Sequence, residues 1–299
     1  YNLFFFFFLL RFRLWALFNK KAALWVKGRL FIFSKLKDAF EQEKAPVIWF
    51  HCASLGEFEQ GRPVMESLRE KYPDHKILVT FFSPSGYEVR KNYTGADYIF
   101  YLPMDGMINA QRFISIVKPK LAVFIKYELW YYYTKVMHDR QIPLILISAI
   151  FLKQHAYFKW YGEVQRKTLS KFAHVFVQDL LSKKLADKLQ LPVPFTVAAD
   201  TRFDRVIKIA SQYKRIDVLT QWAGESRLLV AGSTWADDER VLSELLPLLQ
   251  QHHLKLVIAP HEINESHLGQ IEKQFEGQTV RFSQLPGSMQ GEVLIIDNI

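Results

Sequence analysis

From residue 47 onward the chain alternates short apolar runs with amphipathic stretches, and this rhythm narrows the possible folds more than any other feature. Runs at 47–51, 76–82, 98–102, 121–125, 143–148, 174–177 and 195–198 read as buried strands. Stretches at 58–72, 85–92, 107–117, 154–172 and 181–190 read as helices between them. Strands that are apolar throughout are covered on both faces. The alternation therefore predicts a parallel sheet with helices on either side and right-handed crossovers. Residues 201–222 are charged, helical in tendency and without a strand, and read as a connector. A second series follows at 227–231, 236–253, 254–259, 263–275, 279–282 and 293–296, where the sequence ends. The expectation is an α/β chain of two Rossmann-like domains facing a cleft, at 38–200 and 223–299, with the second incomplete.

Residues 1–37 stand apart. Arg11, Arg13, Lys20, Lys21, Lys27, Arg29, Lys35 and Lys37 supply eight of the nine net positive charges, with no acid among them. Nucleic-acid binding calls for basic residues spread over a folded face, whereas these flank an apolar stretch, so no nucleic acid is expected as a partner. That stretch, 3–18, is apolar except for Arg11 and Arg13 and is short for a membrane span, which needs about twenty residues. It reads first as an interfacial anchor helix, then as a short span, with a buried amphipathic helix as the remaining option. The basic residues behind it place the body on the cytoplasmic face and make membrane phospholipid a partner. Cys52 is the only cysteine, so no internal disulfide forms, and no Cys/His cluster has zinc spacing.

In open α/β sheets ligands bind beyond the carboxyl ends of the strands. The polar residues just past the apolar runs are therefore the candidates. They are Ser54, Gly56 and Glu57; Ser83 and Ser85; Asp105; Lys126 and Glu128; Asp200 and Arg202; Ser233 and Thr234; and Pro260 and His261. Gly56 reads as permitting a sharp turn ahead of Glu57. Glu57 also fits an ordinary helix-start carboxylate, and Asp200, Ser233 and Asp237 fit helix N-caps. Neither a GxGxxG nor a P-loop pattern is present. Glu57 and Glu128, from different strand ends, suit a general base and a supporting acid. Arg202 suits a negative group on a substrate. His261 fits a base, a nucleotide contact or a structural hydrogen-bonder. His51, His174 and the His252-His253 pair read as structural or surface residues.

Six motifs occur in order: H-C-A-S-L-G-E (51–57), S-P-S-G (83–86), Y-L-P-M-D (101–105), Y-E-L-W (127–130), D-T-R-F-D (200–204) and A-G-S-T-W (231–235). Together they resemble the 3-deoxy-D-manno-octulosonic acid (Kdo) transferase family, most closely its Bacteroidetes-type branch, and residues 1–37 resemble that family's membrane anchor. The resemblance implies a GT-B fold and an inverting glycosyltransferase of lipopolysaccharide biosynthesis at the inner membrane. CMP-Kdo would be the donor and the lipid A precursor the acceptor, with no cofactor and no metal. By motif match the catalytic base falls on Glu57 and transition-state stabilisation on Glu128 and Arg202. The CMP-contacting turn falls at Pro260 and His261, and a further nucleotide-contacting loop begins at Asp297 and Asn298. Ser233 and Thr234 fall on the donor side, and Ser54, Gly56, Ser83, Ser85 and Lys126 on the acceptor side. The chain departs from the family in three places. The arginine of the usual Pro-Arg-His turn is missing, Ala199 replaces a common glycine, and Arg202 stands where many members have lysine, keeping the charge but not the geometry. Two rivals remain: another GT-B sugar-nucleotide transferase or epimerase, and a non-catalytic two-lobed sugar-binding protein. Function that survives Glu57→Ala would favour the latter.

Overall fold

The structure, a computed structural model, describes residues 11, 12 and 14–298. The chain divides into two compact units, residues 1–211 and 212–299.

The first unit opens with α1 (Lys20–Gly28) and α2 (Ile32–Phe40). An alternating series follows: β1 (Val47–Cys52), α3 (Leu55–Lys71), β2 (Lys76–Phe81), α4 (Pro84–Arg90), β3 (Tyr98–Tyr101), α5 (Met107–Val117) and β4 (Pro119–Ile125). It continues with α6 (Tyr131–Asp139), β5 (Leu144–Ala149), α7 (Glu163–Leu169), β6 (His174–Val177), α8 (Leu180–Asp187), β7 (Phe195–Val197) and α9 (Arg202–Ser211). The seven strands form one parallel sheet in the order β3-β2-β1-β4-β5-β6-β7. The chain moves outward from β1 to β3, then returns to lay β4 on the other side of β1. The strand order thus reverses between β1 and β4, the place where a doubly wound sheet opens a crevice for a ligand.

β1 shows why a continuous apolar run forms a central strand. Ile48, Phe50 and Cys52 enter the core beneath α3, while Val47 and Trp49 enter the larger core on the opposite face. Each such side chain, fully buried, stabilises the fold by roughly 1.5–3 kcal/mol.

Three local features differ from the sequence pattern. Helix α6 lies where only a polar turn is expected. Its buried face, Tyr133, Val136 and Met137, has helical spacing, but two of its first three residues are half-buried tyrosines that mask it. The long helix expected over 154–172 is broken into a 3₁₀ turn at Ala156–Phe158 and α7. The chain folds back so tightly there that a side chain on Gly162 would lie 1.8 Å from the Ala156 carbonyl oxygen.

The third concerns the basic segment. Ile32, Leu36 and Phe40 are buried one helical turn apart in the larger core, so α2 is part of the first unit. Arg29, between α1 and α2, is half-buried, and its guanidinium donates to the carbonyls of Trp25 (3.1 Å), Phe82 (2.8 Å) and Leu102 (3.0 Å). Burial pushes its pKa down to about 9. The anchor expected at 3–18 lies mainly outside the described residues. Among the described residues no helix is long and apolar enough to cross a membrane.

The connector expected at 201–222 is divided: α9 belongs to the first unit, and α10 (Asp217–Ala223) to the second. The second unit continues with β8 (Arg227–Thr234), α11 (Ala236–Gln251), β9 (Leu254–Pro260), α12 (Glu265–Gln274), β10 (Thr279–Arg281) and β11 (Val293–Ile295). Its parallel sheet has the order β10-β11-β9-β8. Leu256, Ile258, Val293 and Ile295 pack toward α11 and α12, while Val257 and Leu294 pack toward Trp222 of α10.

Candidate active site

In the first unit the candidates gather at the carboxyl ends of β1 and β4, on the two sides of the reversal in strand order. After β1 the chain bends at Ala53 and Ser54, the latter with an extended backbone, and enters α3, placing Glu57 in the helix's first turn. The carboxylate of Glu57 reaches back to accept the Ala53 N–H, just ahead of the helix's N-cap, Ser54. The helix-start role is thus real, and it does not exclude chemistry. Burial first, and second whatever negative charge Glu128 carries, push the Glu57 carboxyl up to about 8, against the pull of the Ala53 N–H and the Lys126 ammonium. A base tuned toward neutral pH is what proton abstraction from a hydroxyl needs.

Glu128 is buried, and its Oε2 accepts from Trp130 Nε1 at 2.5 Å and lies 3.1 Å from His51 Nε2. Trp130 also packs against Phe82, ring centroids 5.0 Å apart. Lys126 turns through a left-handed conformation (φ 65°), a strained geometry of the kind that collects at functional sites.

Gly56 has a different role from the one its sequence suggests. It is helical and exposed, and a Cβ built on it would meet nothing within 4 Å. The chain bends at Ala53 and Ser54, ahead of the helix, and Gly56 keeps open space beside Glu57. The glycine that permits a close approach is Gly86, whose Cβ would lie 2.3 Å from the Phe81 ring and 3.1 Å from the Ser54 carbonyl carbon. Ser83 caps α4: its Oγ accepts from Ser85 N at 3.2 Å, and the two hydroxyls are 3.0 Å apart. Its own N–H donates to the Ala53 carbonyl at 2.7 Å, which ties this turn to the one carrying Glu57. Asp105 receives the N–H groups of Tyr132 and Tyr133, each at 3.2 Å, and so caps α6 from another loop.

The segment 200–202 docks on α3 one turn beyond Glu57. Thr201 Oγ1 donates to the Gln60 carbonyl and lies 2.9 Å from Ser148 Oγ, while the Gln60 amide reaches Asp200 at 3.4 Å. Arg202 is more than half exposed and is held by Asp200 Oδ2, through Nε at 2.9 Å and Nη2 at 2.6 Å. Burial opposes the shift, but the hydrogen bonds from Arg202 and Gln60 hold the Asp200 carboxyl below its ordinary value. Arg202, expected to meet a substrate anion, thus has a protein carboxylate against one edge of its guanidinium.

In the second unit β8 ends in a bulge at Ser233, which adopts φ 56°; it is not a helix cap. The cap of α11 comes from Asp238, which accepts the Trp235 N–H at 2.9 Å. Thr234 is buried, and its hydroxyl donates to Glu239 Oε1 at 2.9 Å. His261 is exposed and stacks on Trp235 at 4.4 Å, and its N–H donates to the Thr234 carbonyl. Pro260 is buried at the end of β9. Asp297 accepts from Ser283 N at 2.9 Å and Ser283 Oγ at 2.5 Å, and Asn298 beyond it is exposed. Among the described residues no group of three His, Cys, Asp or Glu side chains could hold a metal.

Sequence reasoning missed His51. It is fully buried and has partners at both ring nitrogens, Thr80 and Glu128. The available signal was a histidine inside an otherwise apolar strand, on the face of Trp49.

Comparison with known proteins identifies the family and the fold. The family described as 3-deoxy-D-manno-octulosonic-acid transferase (Kdo transferase) matches residues 26–205, more than half of the chain. The 3-deoxy-D-manno-octulosonic acid transferase of Haemophilus influenzae is 26% identical over 84% of this chain and 63% of its own length. That of Aquifex aeolicus is 25% identical over 89% of this chain and 69% of its own length. The chain thus spans about two thirds of the length of these relatives. Among solved structures, UDP-GlcNAc 2-epimerase from Neisseria meningitidis superposes with a TM-score of 0.57 at 16% identity, covering 85% of this chain and 72% of that one. That likeness speaks for the fold, an α/β Rossmann-like architecture of the GT-B kind. With residues 26–205 matched and the motifs in order, this chain belongs to the Kdo transferase family.

Proposed function

We propose that the protein is an inverting glycosyltransferase that moves Kdo from CMP-Kdo to the lipid A precursor in lipopolysaccharide biosynthesis. The observation that carries this reading is Glu57, a carboxylate raised toward neutral pH at the carboxyl end of β1, beside Lys126 and Glu128 at the strand-order reversal. Glu57 takes the proton of an acceptor hydroxyl as that oxygen forms a bond to the anomeric carbon of Kdo. The bond from that carbon to the phosphate oxygen breaks, and CMP leaves with the electron pair. Inversion needs no covalent intermediate. Open space at Gly56 leaves room for the acceptor hydroxyl. Glu128 and Arg202 stabilise the transition state, and Ser54, Ser83, Ser85 and Lys126 border the acceptor.

The second unit takes the nucleotide. Its exposed Trp235–His261 stack offers a flat surface to a base, and Ser233, Thr234, Pro260, Asp297 and Asn298 lie around the ends of its strands. Backbone N–H groups at such turns suit a phosphate. The body works at the cytoplasmic face of the inner membrane, where the positive charge of residues 1–37 attracts anionic headgroups and the acceptor's phosphates.

The test is CMP release from CMP-Kdo by the full-length protein, with and without lipid A precursor, beside Glu57→Ala. Acceptor-dependent release that collapses in the variant is expected. No release from the wild type overturns the donor, and release unaffected by the substitution overturns Glu57 as the base.

A further inference from the structure

His51 lies at the carboxyl end of β1, fully buried, and proton abstraction by Glu57 gives it no task. Its ring is fixed at both nitrogens. Nδ1 is 3.1 Å from the Thr80 carbonyl oxygen and 2.9 Å from Thr80 Oγ1, and Nε2 is 3.1 Å from Glu128 Oε2. A carbonyl oxygen only accepts, so its approach calls for a hydrogen on Nδ1. The Thr80 hydroxyl agrees: it accepts from Trp49 Nε1 at 2.8 Å and directs its own hydrogen toward the Phe50 carbonyl at 3.4 Å, leaving a lone pair for Nδ1. The other tautomer would set an Nδ1 lone pair against the Thr80 carbonyl oxygen. With Nδ1 protonated, Nε2 and Glu128 Oε2 face each other, and two facing lone pairs in a buried site would repel. A proton must lie between them.

We propose that His51 and Glu128 hold that proton as a pair, either imidazolium with carboxylate or imidazole with carboxylic acid, so that the pair is electrically neutral beside Glu57. His51 is then a positioning residue: it acts through Glu128 and keeps Glu57 from facing a bare carboxylate. The inference rests on the reading of Glu57 as the base.

The groups around the two residues make the consequence plain. Glu57 faces Glu128, Lys126 and Tyr127 from the segment after β4, Cys52 of β1, and the N–H groups of Ala53 and Ser54. His51 faces Thr80 of β2, Glu128, and the rings of Trp49, Phe124 and Trp130. Tyr127 and Cys52 are neutral near pH 7, because burial raises both above their ordinary values. If His51 cancels Glu128, Lys126 is the one uncompensated charge among these groups, and it favours the ionised, proton-accepting form of Glu57. Burial remains the larger reason that Glu57 holds its own proton until the site is occupied.

The test is a carbon-13 NMR titration of the Glu57 carboxyl in the full chain without substrates, in wild type, Glu128→Gln and His51→Gln. A neutral pair predicts that Glu128→Gln moves the Glu57 titration by less than about 0.3 pH unit. It predicts that His51→Gln, which keeps an amide donor but cannot carry the proton, separates the two carboxylate titrations and raises the upper one by about one unit or more. The proposal is overturned if Glu128→Gln lowers the Glu57 titration by about a unit or more while His51→Gln leaves it in place. If His51→Gln does not fold, nitrogen-15 shifts of the wild-type imidazole decide: a protonated Nδ1 supports the pair, and an unprotonated one overturns it. None of these readings needs turnover, so they stand apart from the CMP-release test of Glu57 as the base.

Discussion

Glu57 holds its proton in the folded chain at pH values where the unfolded chain would have released it. Its pKa is about 8 in the fold against an ordinary 4.5. Between those values the native state binds the extra proton, so its contribution to stability is full below about pH 4.5 and is lost as pH rises through 8. Glu57→Gln removes that dependence. Urea unfolding should find the variant close to wild type at about pH 5 and more stable than wild type, by on the order of 1–3 kcal/mol, at about pH 8.5. A variant that is less stable at the higher pH would remove the basis for a raised Glu57. If Glu57 is the base proposed above, the same carboxyl sets the acid limb of turnover, and kcat/KM should rise as pH approaches 8 and the base form appears. Ala199 makes a separate residue-scale case. It sits at φ 57°, a left-handed conformation that a glycine adopts without a Cβ clash. Ala199→Gly should therefore raise stability by roughly 0.5–1 kcal/mol in thermal or chemical unfolding. At this scale the sequence was readable where a motif carried the residue, as for Glu57 and Glu128. It was not readable for His51, whose partner Glu128 lies 77 residues away along the chain and comes close only when β1 and β4 pair.

The strands were legible to within about three residues, because central parallel strands are covered on both faces and so carry unbroken apolar runs. Helices were less so. The core contacts of α2 follow a clear one-turn spacing, yet its lysines drew the reading toward a membrane surface, since charge on the outer face and burial on the inner face occupy the same residues in turn. Two glycines near the site make opposite predictions about their helices. At Gly86→Ala the new methyl group meets the Phe81 ring at 2.3 Å and the Ser54 backbone at 3.1 Å. That substitution should cost about 1–3 kcal/mol in thermal unfolding and lower turnover, because α4 and the turn ahead of Glu57 are pushed apart. At Gly56→Ala the methyl group meets open space in a helical position, and stability should rise by up to about 1 kcal/mol. If the open space receives the acceptor, KM for the acceptor rises in the same variant. Unchanged KM would place the acceptor elsewhere.

The molecule as a whole is two folded bodies, each with its own apolar core, joined through residues 212–216 between α9 and α10. All five joining residues are exposed, and Lys214 and Arg215 lie among them. Brief trypsin digestion should cut first at these two positions and leave both bodies folded, as read by mass spectrometry of the products. First cuts inside either sheet would count against the division. One further property follows from Cys52, the only cysteine in 299 residues, which is wholly enclosed at the end of β1 and has its thiol pKa raised by burial. A thiol that is neither ionised nor reachable does not react with maleimides. The native chain is thus a blank background for fluorescence. One cysteine placed on each body would take a dye pair without prior removal of Cys52, and the distance between the bodies, with and without nucleotide, could then be followed one molecule at a time.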